Sequence, residues 1–345
     1  MKIAFVTDVH MGCRRGSEIF LKSHLKFFKE QFIPDLKKRG IDTIIIPGDF
    51  FDNRLALDSR ILDSVLELFE NEFKDFKIYI IVGNHDSYLE SSIHINSLKV
   101  LEHFPNVTIF ENPTSVKIAN KSFYFVPWVT NSEKFLEELS EIKKHDICVG
   151  HFNFSSFLMH KGQECEHGLP SAPFFEKFKL TISGHFHTRS EKVLGSSRIV
   201  YIGNPFHMTR NDIDDPRGYS ILNTDDLSLE FVENTESIKF VKYYYPQALE
   251  EHHIKGNHVD IFLNIDEKTD EKLVDKYFER LEKFEPAFPI NKKTINKIDL
   301  NAPDEMQGAS IPELINEYVN AQNLENKEEI LEMVFEFYNE CKNSM

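Results

Sequence analysis

An apolar segment of this chain ends abruptly in a cluster of polar residues, and this pattern limits the folds that the chain can adopt. Residues 78–82 read Ile-Tyr-Ile-Ile-Val, and Gly83-Asn84-His85-Asp86 follow them directly. A short apolar run before a turn signal predicts a buried strand, and a glycine at its end allows the backbone to turn sharply. An amide, an imidazole and a carboxylate therefore leave the end of one strand together, as on the floor of a functional site.

Two earlier apolar segments end in the same way. Residues 2–7 are followed by Asp8 and His10, and residues 42–47 are followed by Gly48 and Asp49. Amphipathic helical patterns lie between the three segments, which gives the order β-α-β-α-β. Open α/β sheets bind ligands just beyond the carboxyl ends of their strands. The sequence therefore predicts that these polar residues share one edge of a sheet.

The second part of the chain adds more strand-end histidines. Residues 145–149 lead into Gly150-His151, and residues 180–183 lead into Gly184-His185-Phe186-His187. Shorter strand patterns continue to about residue 232. This run predicts a second sheet packed on the first, and hence an α/β layered sandwich flanked by helices.

The sequence pattern changes near residue 235, and we predict three domains. Residues 1–234 form the main domain, and residues 235–300 form a small α/β module with one alternating strand and one amphipathic helix. Residues 301–345 form a linker and an amphipathic helical hairpin, whose first helix opens with the capping box Ser310-x-x-Glu313.

Composition excludes several classes of protein. The chain has 345 residues and a formal net charge of −16, so diffuse basic attraction to nucleic acid is not expected. A polyanionic substrate would need bound cations or a partner to supply positive charge. No apolar run approaches the roughly 20 residues that cross a bilayer, so no membrane association is expected.

Cysteine usage predicts a reduced, cytoplasmic protein. The four cysteines are scattered and form no Cys-x-x-Cys pair, so neither a disulfide framework nor a thiolate zinc site is indicated. They are Cys13, Cys148, Cys165 and Cys341.

The strand-end residues together predict a pair of metal ions. A single histidine is more often structural, but carboxylates, an amide and several imidazoles together suit two borderline divalent cations such as manganese. Asp49 is the natural bridge, because a carboxylate offers one oxygen to each cation. Two cations about 4 Å apart can clamp a phosphate and activate a water, so phosphoester hydrolysis by metal-held hydroxide is expected. The predicted ligands are Asp8, His10, Asp49, Asn84, His151, His185 and His187.

His85 and Asp52 are the predicted catalytic residues. Neighbouring side chains do not easily point the same way, so we expect Asn84 to ligate metal and His85 to face the substrate as general acid or transition-state stabiliser. Asp52 follows Asp49 by three residues and is predicted to accept the other ring N–H of His85. The alternative for Asp52 is a solvated loop carboxylate.

These motifs, in this order, resemble the calcineurin-like metallophosphoesterases over roughly the first 230 residues. Three further motifs narrow the resemblance to the SbcD-type nuclease subunits of recombination complexes, especially those of tailed phages, across nearly the whole chain. They are Gly48-Asp49-Phe50-Phe51-Asp52, Gly203-Asn204-Pro205 and Asp215-Pro216-Arg217-Gly218-Tyr219.

The resemblance implies a four-layer α-β-β-α sandwich with a small α/β capping domain that orients DNA and a terminal hairpin. It implies a DNA exonuclease and endonuclease of recombination, repair and replication that uses two Mn²⁺ ions, with Mg²⁺ as the alternative. The hairpin would dock on the coiled-coil base of an SbcC-type ATPase, in a heterotetramer built on a homodimer. One ion would be held by Asp8, His10, Asp49 and His187, and the other by Asp49, Asn84, His151 and His185, with His85 catalytic.

Two other functions stay open from the sequence. A phosphatase or cyclic-nucleotide phosphodiesterase could use the same metals, although Asp52-Asn53-Arg54 stands where protein phosphatases have Asp-Arg-Gly. A non-catalytic DNA-end-binding subunit is the third reading. Roles for Arg210, Lys292 and Lys293 are not predicted.

Overall fold

The structure is a computed structural model. It describes residues 1–89, 91–160, 162–264 and 269–294, and beyond them only residues 319, 326, 327, 330, 331 and 333–335. The predicted hairpin helices and linker therefore lie outside the described residues, apart from those isolated positions.

The first sheet contains the three predicted strands that precede Asp8, Asp49 and Asn84 in the sequence. Four consecutive strands of this sheet pair in parallel. At one edge the next two strands are added through antiparallel pairings. The apolar runs are buried because both faces of the sheet are covered. In spatial order the strands are Leu229–Glu233, Gly218–Asn223, Lys2–Phe5, Thr43–Ile46, Lys77–Ile81 and Val107–Phe110.

The second sheet also has six strands, four of them parallel at its centre. An antiparallel strand closes each side. In spatial order the strands are Ser190–Leu194, Ser197–Tyr201, Phe178–Gly184, His145–His151, Lys121–Val126 and Thr114–Ile118.

Helices cover the outer face of each sheet. The first sheet carries Glu18–Lys26, the π-helical Phe27–Phe32, Ile33–Arg39 and Ser59–Asn71, and the second carries Ser132–Glu141 and Ala172–Lys177. The chain also forms short helices at Cys13–Gly16, Ser97–Leu101 and Arg210–Asp212, and small hairpins from Ser87–Leu89 with Ser92–Asn96 and Leu158–His160 with Gln163–Glu164.

An apolar core lies between the two sheets. Ile3 and Ile45 of the first sheet pack there with Phe123, Ile147 and Leu180 of the second, and all five are fully buried. Separate apolar clusters join each sheet to its helices. These layers confirm the predicted four-layer α-β-β-α sandwich.

The small α/β module follows the sandwich. Its three-stranded sheet packs on the helices Glu251–Ile254 and Glu271–Glu282 through a core of its own. Residues 1–263 and 269–293 nevertheless form one compact unit. The domain boundaries at 234 and 300 stay predictions. The strands of the module are Phe240–Tyr244, His258–Leu263 and Asn291–Thr294.

The residues left without a predicted role have partners. Arg210 pairs with the buried Asp260 of the module, with Nε 2.6 Å from Oδ2, and Lys293 Nζ lies 2.6 Å from the same oxygen. Lys292 Nζ lies 4.4 Å from the centre of the Phe278 ring. Among the described residues, no helix has the length and apolarity that crossing a bilayer demands.

Candidate active site

The predicted site residues converge where strand ends of the two sheets meet. The backbone N–H of His185 donates to Asp8 Oδ1 over 3.0 Å, and His151 Nδ1 lies 2.8 Å from the carbonyl oxygen of Pro47. These bonds join loops of the second sheet to loops of the first. All seven predicted ligands lie in this region.

The first group of side chains is formed by Asp8, His10 and His187. Candidate ligand atoms of these residues lie within 4.8 Å of one another. His10 Nε2 is 3.2 Å from His187 Nε2, and His187 Nε2 is 3.8 Å from Asp8 Oδ1. Two imidazole nitrogens and a carboxylate oxygen thus face one small volume.

The second group is formed by Asp49, Asn84, His151 and His185. Asn84 Oδ1 lies 2.9 Å from His151 Nε2 and 3.0 Å from His185 Nδ1. Asp49 Oδ2 lies 3.2 Å from His151 Nε2 and 3.8 Å from His10 Nε2 of the first group. Asp49 therefore stands between the groups, where a bridging carboxylate was predicted.

The hydrogen bonds of His151 show that a cation fits the second group. The Pro47 carbonyl only accepts, so His151 Nδ1 carries the proton. In a neutral ring Nε2 then carries a lone pair, and this atom faces two oxygens, Asp49 Oδ2 and Asn84 Oδ1. A cation among these three acceptors would satisfy them all. A histidine that ligates metal usually donates its other N–H to a carbonyl in this way.

Buried charges shift the acid–base properties of both groups. Burial alone would lower the pKa of His151, but the Asp49 carboxylate raises it to about 9. Burial opposes ionisation of Asp49, yet the nearby His151 and His10 hold the pKa of Asp49 well below its ordinary value. Burial, aided by His151, lowers the pKa of His185 to about 3. Without a cation the site thus favours anionic Asp49 beside a protonated His151 and a neutral His185, and a cation bound there would take the place of the His151 Nε2 proton.

Four of the ligand residues have left-handed backbone conformations. The φ angles are 52° at Asp8, 47° at His10, 52° at Asp49 and 84° at His185. Such conformations are uncommon for residues other than glycine and cluster at functional sites, where the surrounding structure holds them. The strand ends are therefore bent to turn these side chains inward.

Gly83 and Gly184 permit the close approach of the loops. A Cβ at Gly83 would lie 2.2 Å from Asp49 Oδ1 and 2.4 Å from its backbone nitrogen. At Gly184 it would lie 2.3 Å from Thr7 Oγ1 and 2.9 Å from Asp8 Oδ2. A side chain at either position would displace a carboxylate of the site.

His85 lies beside the first group, but its partner differs from the one predicted. Its Nδ1 is 2.8 Å from the backbone carbonyl oxygen of Asp52, not from the carboxylate. The Asp52 carboxylate instead approaches His10, with Oδ1 3.3 Å from Nδ1, although the angle leaves this nitrogen without a hydrogen bond among the described residues. The prediction that the Asp52 side chain accepts the His85 proton was wrong, because the turn carries the main chain to that position.

Asp86 belongs to the site, although the sequence motif predicted no role for it. It is fully buried, and its two oxygens accept from the backbone N–H groups of Phe51 and Gly83, each over 3.0 Å. Burial, with the charge of Asp49, raises its pKa to about 7. Asp86 therefore clamps the loop of Asp49 to the turn of Asn84. The sequence feature that could have indicated a role for Asp86 was its position at the end of the Gly83–Asp86 motif.

The chain belongs to the calcineurin-like phosphoesterase family. The family model for calcineurin-like phosphoesterases matches residues 1–189, which contain every predicted site residue.

Three similar proteins illustrate the range of relatives. "Exonuclease subunit 1" of Enterobacteria phage T4 is 29% identical over 326 residues, 93% of this chain and 93% of that protein. "Putative phosphoesterase 244L" of Invertebrate iridescent virus 6 is 28% identical over 54% of this chain and 64% of its own length. "DNA double-strand break repair protein Mre11" of Halobacterium salinarum is 21% identical over 72% of this chain and 62% of its own length.

Among solved structures, one titled "Structural and Functional Characterization of a Novel Archaeal Phosphodiesterase" aligns with 68% of this chain and 99% of its own. Its TM-score is 0.38 and its sequence identity 17%.

Proposed function

We propose that this chain is a two-metal, manganese-dependent DNA nuclease with exonuclease and endonuclease activity, acting in recombination and repair. The observation that carries the proposal is the convergence of two ligand groups on Asp49, with His85 beside them. Relatives named as an exonuclease subunit and as a DNA double-strand break repair protein support DNA as the substrate.

We assign the metal ligands as the sequence predicted, because their carboxylate and amide oxygens and imidazole nitrogens suit divalent cations. Bound there, the two cations would activate a water and neutralise charge on the phosphate. Asp8, His10 and His187 would hold one ion, and Asn84, His151 and His185 the other, with Asp49 shared. Neither group contains a thiolate, which suits Mn²⁺ or Mg²⁺ better than structural zinc.

His85 would act as the general acid. Its Nδ1 is held by the Asp52 carbonyl, so the ring orientation is fixed and Nε2 remains for the substrate. The ring centre lies 4.7 Å from that of His10, which places His85 next to the first ligand group. From there a doubly protonated His85 would give its Nε2 proton to the departing oxygen of the phosphodiester, while the Nδ1–H stays bound to the Asp52 carbonyl.

A cavity beside His85 is a suitable place for the nucleic acid. Its volume is about 630 Å³, and Arg15, Asn53 and Arg54 line it together with His85. Guanidinium groups bind phosphate well. These two arginines lie beside the proposed acid, in a cavity whose lining also includes Asp52 and Asp58.

We further propose that the chain works with a coiled-coil ATPase of the SbcC type, as a homodimer within a heterotetramer in the host cytoplasm. The net charge supports a partner, because the chain alone offers little attraction to a polyanion. The phage T4 relative is named as a subunit and matches 93% of this chain. The 235–300 module would orient DNA, and the 301–345 hairpin would contact the ATPase.

The test is digestion of linear and circular DNA with Mn²⁺, Mg²⁺ or chelator, with and without the co-expressed ATPase. We expect hydrolysis with Mn²⁺, none with chelator, and an increase with the ATPase. Hydrolysis of small phosphate esters alone would favour a phosphatase or cyclic-nucleotide phosphodiesterase. DNA binding without metal-dependent cleavage would favour an end-binding subunit.

A further inference from the structure

Arg217 joins the backbone behind His187 to two buried or half-buried carboxylates. Its side chain is buried, and Nη1 donates to the carbonyl oxygen of His187. Nη2 lies 2.5 Å from Asp212 Oδ1 and 3.0 Å from Asp215 Oδ2. The guanidinium therefore connects the His187 loop to the segment that leads into strand Gly218–Asn223.

Other bonds fix the same stretch of loop. The carbonyl of His187 also accepts from the N–H of Asn204 over 3.3 Å. Thr188 Oγ1 donates to Asp215 Oδ2 over 3.1 Å, so the residue after His187 is attached to the same carboxylate as Arg217. The backbone of His187 and Thr188 is thus held at three points.

The His187 ring depends on this backbone more than the rings of His151 and His185 do. His151 is fixed through Nδ1 by Pro47, and His185 is held through its backbone by Asp8 and through its ring by Asn84. Among the described residues, the ring of His187 makes a hydrogen bond only with His10, itself a proposed ligand. Its direction therefore follows from where the main chain is placed.

We propose that Arg217, with Asp212 and Asp215, is a positioning residue that sets His187 for the first metal ion. This inference rests on the proposed two-metal function. Burying an arginine with two carboxylates costs desolvation energy, and apolar residues would supply stability at lower cost. The planar fork of arginine can instead bind a carbonyl and two carboxylates at fixed angles, which suits precise placement of a loop.

The test measures binding of Mn²⁺ alone to the full chain by electron paramagnetic resonance. The variants are Arg217→Lys, which keeps the charge and loses the fork, and Thr188→Val, which removes only the bond to Asp215. Arg39→Gln is the matched control, because Arg39 also pairs with two carboxylates, Asp35 over 2.7 Å and Glu230 over 2.9 Å.

The single tryptophan of the chain, Trp128, lies beside the second ligand group and so reports mainly on the ion bound there. The Trp128 ring centre lies 5.1 Å from that of His185 and 6.0 Å from that of His151. Quenching of its fluorescence by Mn²⁺ therefore responds more strongly to an ion in the second ligand group than to an ion in the first.

We expect wild type and Arg39→Gln to bind two Mn²⁺ ions. Arg217→Lys should bind one ion with unchanged Trp128 quenching and the other about tenfold or more weakly, the size of effect that partners of ligands usually have. Thr188→Val should shift the same ion in the same direction by less.

Two results would overturn the inference. In the first, Arg217→Lys binds both ions as wild type does. In the second, both ions weaken together with a lower melting temperature, as general loss of structure would cause. Wild type that binds no Mn²⁺ would instead overturn the proposed function, and the inference with it.

Discussion

His85 and Asn84 are neighbours whose side chains face different partners. Asn84 lies between two imidazoles, whereas His85 is held by the Asp52 carbonyl beside His10. We therefore expect His85→Ala to keep both Mn²⁺ ions and to lower the rate of DNA hydrolysis by about 10²- to 10⁴-fold, the usual contribution of a general acid. Asp49→Ala should lose metal as well as activity, because both groups share that carboxylate.

Equilibrium Mn²⁺ binding and initial rates of hydrolysis, measured on the same preparations, separate these outcomes. The exposed His94 provides a control, since His94→Ala should change neither quantity. If His85→Ala and Asp49→Ala lost metal equally, our role for His85 would be refuted.

Gly83 is expected to be essential for space rather than for backbone freedom. Gly83→Ala would place a methyl group 2.2 Å from Asp49 Oδ1, so we expect about 1–3 kcal/mol of destabilisation together with weakened Mn²⁺ binding. Gly195→Ala is the control: its φ is +62°, so alanine costs roughly 1–2 kcal/mol there, but no atom lies within 4 Å. Urea unfolding should show similar losses, and Mn²⁺ titration should separate the variants. Equal Mn²⁺ affinity in both would contradict the steric argument.

At the scale of secondary structure, one ion-pair network ties the small module to the sandwich. Burial opposes the charge of Asp260, but Arg210 and Lys293 lower its pKa to about 2. A carboxyl whose pKa is depressed on folding stabilises the protein above its unfolded value, about 3.9, and loses that contribution as the pH falls towards 2.

We therefore expect Asp260→Asn to reduce the free energy of unfolding at pH 5 by about 2 kcal/mol. The gap between variant and wild type should narrow by about 1 kcal/mol for each pH unit below pH 4. Urea unfolding at pH 5 and pH 3 measures both quantities. A gap that stays constant between these values would show that the charge of Asp260 is not what stabilises the contact.

Elements with strong apolar patterns could be predicted from the sequence, and elements defined by distant contacts could not. Residues 78–82 were predicted as a buried strand and correspond to Lys77–Ile81, and residues 145–149 lie within the strand His145–His151. The helical pattern between residues 7 and 42 forms the helices Glu18–Lys26 and Ile33–Arg39. The π-helical turns Phe27–Phe32 lie between them, shortly before Pro34, which lacks an N–H to donate. Spacing alone does not reveal such wider turns.

The site residues likewise include some that the sequence pattern predicts and some whose contacts only the structure reveals. Asp8, His151 and the other ligands could be found because each follows a strand end, and sheet geometry gathers such ends. The contacts of Asp52 and Arg217 could not, because they involve main-chain carbonyls whose directions depend on turns. Asp86 belonged to a recognised motif, but only the structure shows the two N–H groups that it accepts from.

For the whole molecule, the charge balance makes the metal site a source of stability. Asp8 and Asp49 are buried close together, and burial, with the charge of Asp49, raises the pKa of Asp8 above its ordinary value. A cation that binds only the folded chain relieves this repulsion. It adds about 2.7 kcal/mol when its concentration is a hundred times its dissociation constant.

We therefore expect saturating Mn²⁺ to raise the melting temperature by several degrees over the chelator-treated protein, since about 1 kcal/mol corresponds to roughly 1–2 °C in a chain of 345 residues. The 56 acidic residues could also bind cations loosely on the surface, so the comparison needs Asp49→Asn, which keeps that surface and removes the shared carboxylate. The variant should show little shift on adding Mn²⁺. A shift as large as that of wild type would place the stabilising cations on the surface, because only the buried site depends on Asp49.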